Sequence, residues 1–241
     1  MNRILFFLFI IITSIKAFAQ ESDKNISNQY CIWLRYYNKF SLGQRWQLHS
    51  EWELREFVST GRLYQWVLPR LHLHYSIRED IDVGAGACYF LHALPQEADQ
   101  EVEMIRQEIR PHQEINTDQN LGRIKLSHRY KAEERFFVRT ADDAADFIFR
   151  LRYKCQVQLS LGKISGTPLA LVLYDEVMFN WGNGVSAGPF DQNRIFAALL
   201  FRMSESWSVE TGYMNLFQQR SSPHNFYNRH ILRMTFNHNV K

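Results

Sequence analysis

The sequence predicts an all-β chain, an antiparallel up-and-down transmembrane β-barrel of about 10–12 strands. Three observations carry this. Apolar and polar residues alternate with a period of two in segment after segment, as on pleated strands and not on helices. Several of these segments run past the five or six residues usual for a globular strand. Short turns alternate with longer, more polar connections, which is the plan of an outer-membrane barrel.

Segment 30–39 opens the series. "RWQLHSEWELREF" then sorts Trp46, Leu48, Trp52 and Leu54 against Gln47, His49, Glu51, Glu53 and Arg55. Segments 63–76 and 81–93 follow, the first placing His72 and His74 on one face. Segment 102–115 puts Arg106, Glu108, Arg110, His112 and Glu114 together. In "LSHRYKAEERFF" one face carries Ser127, Arg129, Lys131, Glu133 and Arg135, and the other Leu126, His128, Tyr130, Ala132, Glu134 and Phe136. "FIFRLRYKCQVQLS" sets Phe149, Leu151, Tyr153 and Val157 against Arg150, Arg152, Lys154 and Gln156. Segments 169–180, 193–203, 207–217 and 226–237 complete the set.

The count is eleven, whereas single-chain bacterial barrels have an even number of strands and both termini at the periplasmic end. Either the stretch before Tyr30 adds a strand or one segment has been split. "SLGQ", "IRED", "NTDQN" and "MSES" read as short turns, and "LPQEADQE", "RTADDAAD", "WGNGVSAGPFD" and "QQRSSPHN" as longer loops. "STGR" is short where a long loop is due, and "LGKISGT" long where a turn is due. A soluble β-sandwich would also alternate, but long strands with charges of both signs on one face suit an enclosed lumen better.

The N-terminus points to export. Apolar residues 4–12 precede Ala17-Phe18-Ala19, a small-x-small cleavage pattern. The run is far shorter than the roughly 20 residues of a spanning helix. The expected division is a signal peptide over 1–19 and one barrel domain over 20–241, in the outer membrane of a Gram-negative bacterium. Gln20, not a cysteine, stands immediately after the site, which argues against a lipoprotein anchor. A net charge of +3, spread along the chain, does not suggest a nucleic-acid partner. Cys31, Cys88 and Cys155 are odd in number and widely spaced, so they read as buried or lipid-facing thiols, not a disulfide framework.

In a barrel set in lipid, residues alternate between hydrocarbon and lumen. The lumen-facing polar network is then Glu51, Glu53, Arg55, Arg106, Glu108, Arg110, Arg129, Lys131, Glu133, Arg135, Arg150, Arg152, Lys154, Glu176 and Arg194. His128 and Glu134 fall on the lipid side by parity, the main local conflict with this register. The cationic excess suggests a narrow pore or a binding site for small polar or anionic solutes. The alternative is a plugged structural or adaptor barrel whose loops bind an envelope partner. A third reading is an outer-membrane lipid-modifying enzyme.

No catalytic constellation supports that enzyme. Ser127 and His128 are neighbours, so on a strand they point to opposite faces, and "GKISG" lacks the Gly-x-Ser-x-Gly of a nucleophile elbow. His72 and His74 share a face and could meet His49 from a neighbouring strand around a metal, but ordinary lumen-lining histidines are the preferred reading. No cofactor is expected. The expected partners are outer-membrane lipid and the barrel assembly machinery; the oligomeric state is not legible.

The succession "ELR" (Glu53, Arg55), "LPR" (Pro69, Arg70), "EIRPHQE" (Glu108, Arg110, Gln113), "HRYKAEERF" (Arg129, Glu133, Arg135), "FRLRY" (Arg150, Arg152, Tyr153), "DEVMFN" (Glu176, Asn180), "DQNR" (Gln192, Asn193, Arg194) and "ETGYM" (Glu210, Tyr213) resembles a known family over essentially the whole mature chain. That family is domain of unknown function 2490. The resemblance implies an exported outer-membrane barrel and brings no established activity. One departure from outer-membrane barrels in general is the ending "TFNHNVK", where the last aromatic, Phe236, stands five residues before the end.

Overall fold

The structure, a computed structural model, describes residues 24–138 and 146–240; the expected signal peptide over 1–19 and residues 139–145 lie outside them. Eleven strands follow in order: β1 (Asn25–Ser41), β2 (Trp46–Phe57), β3 (Leu63–Arg78), β4 (Ile81–Leu94), β5 (Met104–Leu121), β6 (Ile124–Val138), β7 (Asp146–Ile164), β8 (Thr167–Trp181), β9 (Phe190–Arg202), β10 (Trp207–Gln219) and β11 (Asn225–Val240). Sequence neighbours pair antiparallel, and β1 meets β11 to close the barrel, which leaves no sheet edge unpaired.

The closing pair is parallel, with Asn25 opposite Asn225 and Phe40 opposite Val240. Strands that alternate in direction make the first and eleventh run the same way. The expectation of an even count is therefore corrected: among the described residues, 25–29 lengthen β1, and no segment was split. The start of β1 and the end of β11 consequently lie at opposite ends of the barrel, not at one end.

The connections divide cleanly. Residues 42–45, 79–80, 122–123, 165–166 and 203–206 join strands at one end, and 58–62, 95–103, 182–189 and 220–224 at the other, where β6 also ends and β7 begins. The two apparent exceptions disappear. β7 and β8 extend to Ile164 and from Thr167, leaving the two-residue turn Ser165-Gly166. Both residues have positive φ, 49° and 84°, as the favoured two-residue hairpin loops require. "STGR" belongs to a five-residue connection, 58–62, and "NTDQN" is strand, with the turn at Gly122-Arg123.

Backbone register sorts the side chains. On β2, His49, Glu51, Glu53, Arg55 and Phe57 are buried inward while Trp52 and Leu54 are exposed outward. A register shift between Val67 and Arg70 of β3 brackets Leu68-Pro69; proline has no N–H for the ladder, so it sits where pairing is interrupted. The outward face is chiefly apolar, including Leu34, Trp52, Leu54, Ile115, Tyr130, Leu151, Leu173, Leu199 and Leu232. Outward aromatics gather near both ends. Trp46–Tyr75 and Tyr36–Trp207 pairs mark the short-turn end, and Phe136–Phe147 and Phe179–Trp181 the long-loop end.

His128 and Glu134 do face outward, without a bulge between β6 and β7. Each has a polar partner on that face: His128 Nδ1 lies 2.9 Å from the Tyr153 hydroxyl, and Glu134 accepts from Gln113 at 3.4 Å. Asn193 likewise donates to Asp175 at 2.5 Å. The three cysteines are free thiols, Cys31 and Cys88 buried and Cys155 half-buried.

Candidate functional site

The barrel interior holds two kinds of filling. On the β8–β11 and β1–β3 side an apolar cluster is formed by Cys31, Trp33, Phe57, Tyr64, Tyr174, Phe196, Ala198, Met214, Leu216 and Ile231. Most of these residues lie in the long-loop half. The indole N–H of Trp33 donates to the Tyr64 hydroxyl at 2.6 Å, and Arg55 stacks 3.7 Å from the Trp33 ring.

The rest of the wall is ionic, built by strands that present runs of acids and bases inward, so that carboxylates of one strand meet guanidinium groups of the next. Glu133 is the hub on β6: Arg152 Nη1 donates to Oε1 at 2.7 Å, Arg110 Nη1 to Oε2 at 3.3 Å, and Arg150 Nη1 stands 3.7 Å from Oε2. Glu176 accepts from Arg129 Nη2 at 2.6 Å and Arg152 Nη2 at 2.8 Å, with Arg194 Nη1 3.6 Å away. Glu108 accepts from Arg110 Nε at 2.6 Å and Arg135 Nε at 2.7 Å, and lies 2.8 Å from His92 Nε2. Glu53 pairs with Arg55, which also donates to Gln65. Glu51 accepts from Arg70 Nη1 at 2.6 Å. Lys131 Nζ lies 3.0 Å from Glu114 Oε2, and Arg150 Nη2 is 2.9 Å from Asp191. Stripping such groups of water costs several kcal/mol per ion, so they persist only with partners on several sides.

The structure thus sets all fifteen polar residues singled out from the sequence on the inner face. Lys154 donates to Gln156 at 3.0 Å, and Arg106 stacks 4.0 Å from the Phe137 ring. Sequence reasoning missed Arg35, Arg70, Asp191, Arg229 and the Glu210–Arg233 pair, whose Nη2–Oε1 distance is 2.6 Å. Extending the parity of the neighbouring strands finds Arg35, Glu210, Arg229 and Arg233. Parity with His72 and His74 finds Arg70 as well, whereas a register shift beside Met178 and Phe179 obscures Asp191.

One mouth is covered. Connection 95–103 leaves β4, crosses to β1 and β11 and is tied there: Gln29 donates to the Gln96 carbonyl at 2.8 Å, Arg229 to the Gln96 side chain at 3.1 Å, and the Tyr227 hydroxyl to Glu97 at 3.0 Å. Ala98 packs on the apolar cluster. Inward residues in the long-loop half, among them Gln29, Cys31, Phe57, Arg135 and Phe137, are buried. Toward the short-turn end His49 and His74 are buried, but several inward residues are half-buried or exposed, as with Arg35, Lys39, Gln47, Arg129, Lys154, Gln156 and Asn237.

Between these fillings lies a cavity of about 470 Å³, within the roughly 300–1,000 Å³ range of small-molecule sites. Fifteen Arg and Lys side chains line it against five carboxylates. Adding Glu108, Glu133 and Asp191, which pair with lining cations, leaves a clear cationic excess.

Ser127 and His128 point to opposite faces, the Ser127 hydroxyl donating to Asp118 at 2.6 Å, and the described residues hold no clear catalytic constellation. The histidines are partly regrouped. His72 and His74 come together with Glu114, not with His49 as the third group. Both His49 ring nitrogens are engaged, by Tyr37 at 2.8 Å and Gln47 at 3.0 Å.

Against known proteins, one family model matches residues 31–228; its description is "Protein of unknown function (DUF2490)". Neither a curated protein nor a solved structure matches the chain.

Proposed function

The chain belongs to this family of unknown function, which brings no activity with it, and from the geometry we propose that the protein is an outer-membrane barrel whose lumen is a blind chamber binding a small polar anion. The observation that carries the proposal is the cationic excess around the cavity of about 470 Å³. A low-dielectric wall strengthens the field of such an imbalance. Binding is favoured over passage because the long-loop half is filled by apolar side chains and crossed by connection 95–103.

Membrane placement is supported by the outward face. The shortest strand has 12 residues, enough for the 9–11 that a tilted transmembrane strand needs. An apolar band between two sets of aromatics is the surface such a barrel presents to lipid and its interfaces. The short-turn end, where the chamber opens, would face the periplasm.

Calorimetric titration of the refolded protein with inorganic pyrophosphate at low salt tests this function. The expected result is saturable binding that weakens with added salt and at least tenfold in Arg129→Gln/Lys154→Gln. Absence of binding would favour the second reading, a structural or adaptor barrel with loops that engage an envelope partner. That reading draws on the same interior, because carboxylates such as Glu133 already neutralise much of the wall.

A further inference from the structure

Three adjacent strands carry matched short motifs on the inner face: His72-x-His74 on β3, Gly84-x-Gly86 on β4 and His112-x-Glu114 on β5. Register aligns them in two rows. His72 faces Gly86, which faces His112; His74 faces Gly84, which faces Glu114. A side chain at either glycine would separate the flanking strands' groups. A Cβ at Gly84 would come 2.9 Å from the His74 ring, and one at Gly86 would strike the backbone of Leu71. The two glycines therefore let β3 and β5 side chains touch across the strand between them. His112 Nε2 lies 2.8 Å from His72 Nδ1, and Glu114 Oε1 lies 3.6 Å from His74 Nε2.

The hydrogen bonds fix where the lone pairs point. His74 Nδ1 lies 2.6 Å from Asp82 Oδ1, which can only accept. A neutral His74 therefore donates from Nδ1 and turns a bare Nε2 towards Glu114. His112 Nδ1 donates to the Arg110 carbonyl at 3.4 Å, so its Nε2 accepts from His72 Nδ1. That leaves His72 Nε2 as a lone pair, and it is buried with no hydrogen-bond partner. Two imidazole lone pairs and a carboxylate oxygen converge, their ligand atoms within 4.8 Å of one another. Glu114 Oε1 accepts from Asn116 Nδ2 at 3.2 Å and keeps a second lone pair.

We propose that His72 Nε2, His74 Nε2 and Glu114 Oε1 bind one borderline divalent cation of the Zn²⁺ class. Two nitrogens and one oxygen suit that class, with ligand bonds of about 2.0–2.2 Å reached by small side-chain movements. Asp82 behind His74 and His112 behind His72 are the second-layer partners that orient metal-binding imidazoles. Lys131 does not block the position, because it sits on the other carboxylate oxygen, Oε2. His72 and Glu114 also line the lumen cavity, so the ion has a path in and an open coordination position towards it.

The test is titration of the untagged, refolded, metal-stripped full chain in detergent with Zn²⁺, and separately with Co²⁺ followed by visible absorption. The expected result is one Zn²⁺ per chain and Co²⁺ d–d bands of four-coordinate strength. His72→Gln and Glu114→Gln should each lower affinity at least tenfold. His128→Gln, which changes a histidine of the outer face, should stay within about twofold. Each variant's fold is checked by its electrophoretic shift on heating, and Gly84→Ala, which crowds the ligand His74 from β4 while leaving all three ligand residues in place, gives a second line and should also weaken binding. No Zn²⁺ binding by the folded wild type overturns the proposal, because a proton then bridges these groups. Binding undiminished in folded His72→Gln or Glu114→Gln also overturns it, by placing the ion elsewhere.

Discussion

Glu133 and Arg152 meet inside the barrel from adjacent strands, Oε1 to Nη1 at 2.7 Å, and Arg152 reaches on to Glu176 at 2.8 Å. One guanidinium thereby links two carboxylates of β6 and β8 across β7. Glu133 holds Arg110 and Arg150 as well. Removing its charge should leave three buried cations with too little compensation. Glu133→Gln is expected to cost about 3–5 kcal/mol, read as a lower urea midpoint for unfolding. Adding Arg152→Met should recover part of the loss; an unchanged midpoint in the single variant would contradict the role of the hub.

A cation introduced on the outer face should report its surroundings. Leu173 stands near the middle of β8 and is 42% exposed, and Leu42, in a short turn, is 57% exposed. In a bilayer Leu173→Arg should cost about 2–4 kcal/mol and Leu42→Arg about 0–1 kcal/mol. On a water-soluble barrel both would be surface changes within about 0.5 kcal/mol. Equilibrium folding into lipid vesicles measures the difference, and equal values would contradict a lipid-facing exterior.

Topology follows from the odd strand count. Asn25 N–H donates to the His224 carbonyl at 2.8 Å, so β1 begins at the end that carries 182–189 and 220–224. An epitope placed before Asn25 should be labelled on intact cells together with one at Gly184. An epitope after Lys241 should require the outer membrane to be opened. Co-labelling of both termini would contradict the parallel β1–β11 closure.

Period-two sorting is a local property, and it is plain in the sequence wherever a strand keeps its parity. Glu51, Glu53 and Arg55, or Arg150, Arg152 and Lys154, are legible as one face for this reason. The same logic failed where parity slips, at Leu68-Pro69, and where a turn has only two residues, at Ser165-Gly166, because neither bulge nor turn type is encoded by polarity alone. Partnership is not local at all. That Arg152 joins Glu133 to Glu176, or that Gly84 and Gly86 let His72 meet His112 and bring Glu114 beside His74, depends on register between strands. The parallel closure was hidden for a different reason: an odd count is visible, but which end strand pairs with which is settled only when the sheet closes.

The placement of the outer face in lipid is tested most directly by the tryptophans. Trp33 points into the lumen and is 2% exposed, whereas Trp52 points outward and is 46% exposed. Two single-tryptophan variants, each with the other five replaced by Phe, would be folded into vesicles containing bromine-labelled acyl chains. Bromine quenches indole fluorescence only at close range. The account predicts strong quenching of Trp52 and little of Trp33. A Trp52 that brominated lipid leaves unquenched, but that aqueous acrylamide quenches, would contradict it and return the chain to a water-soluble barrel.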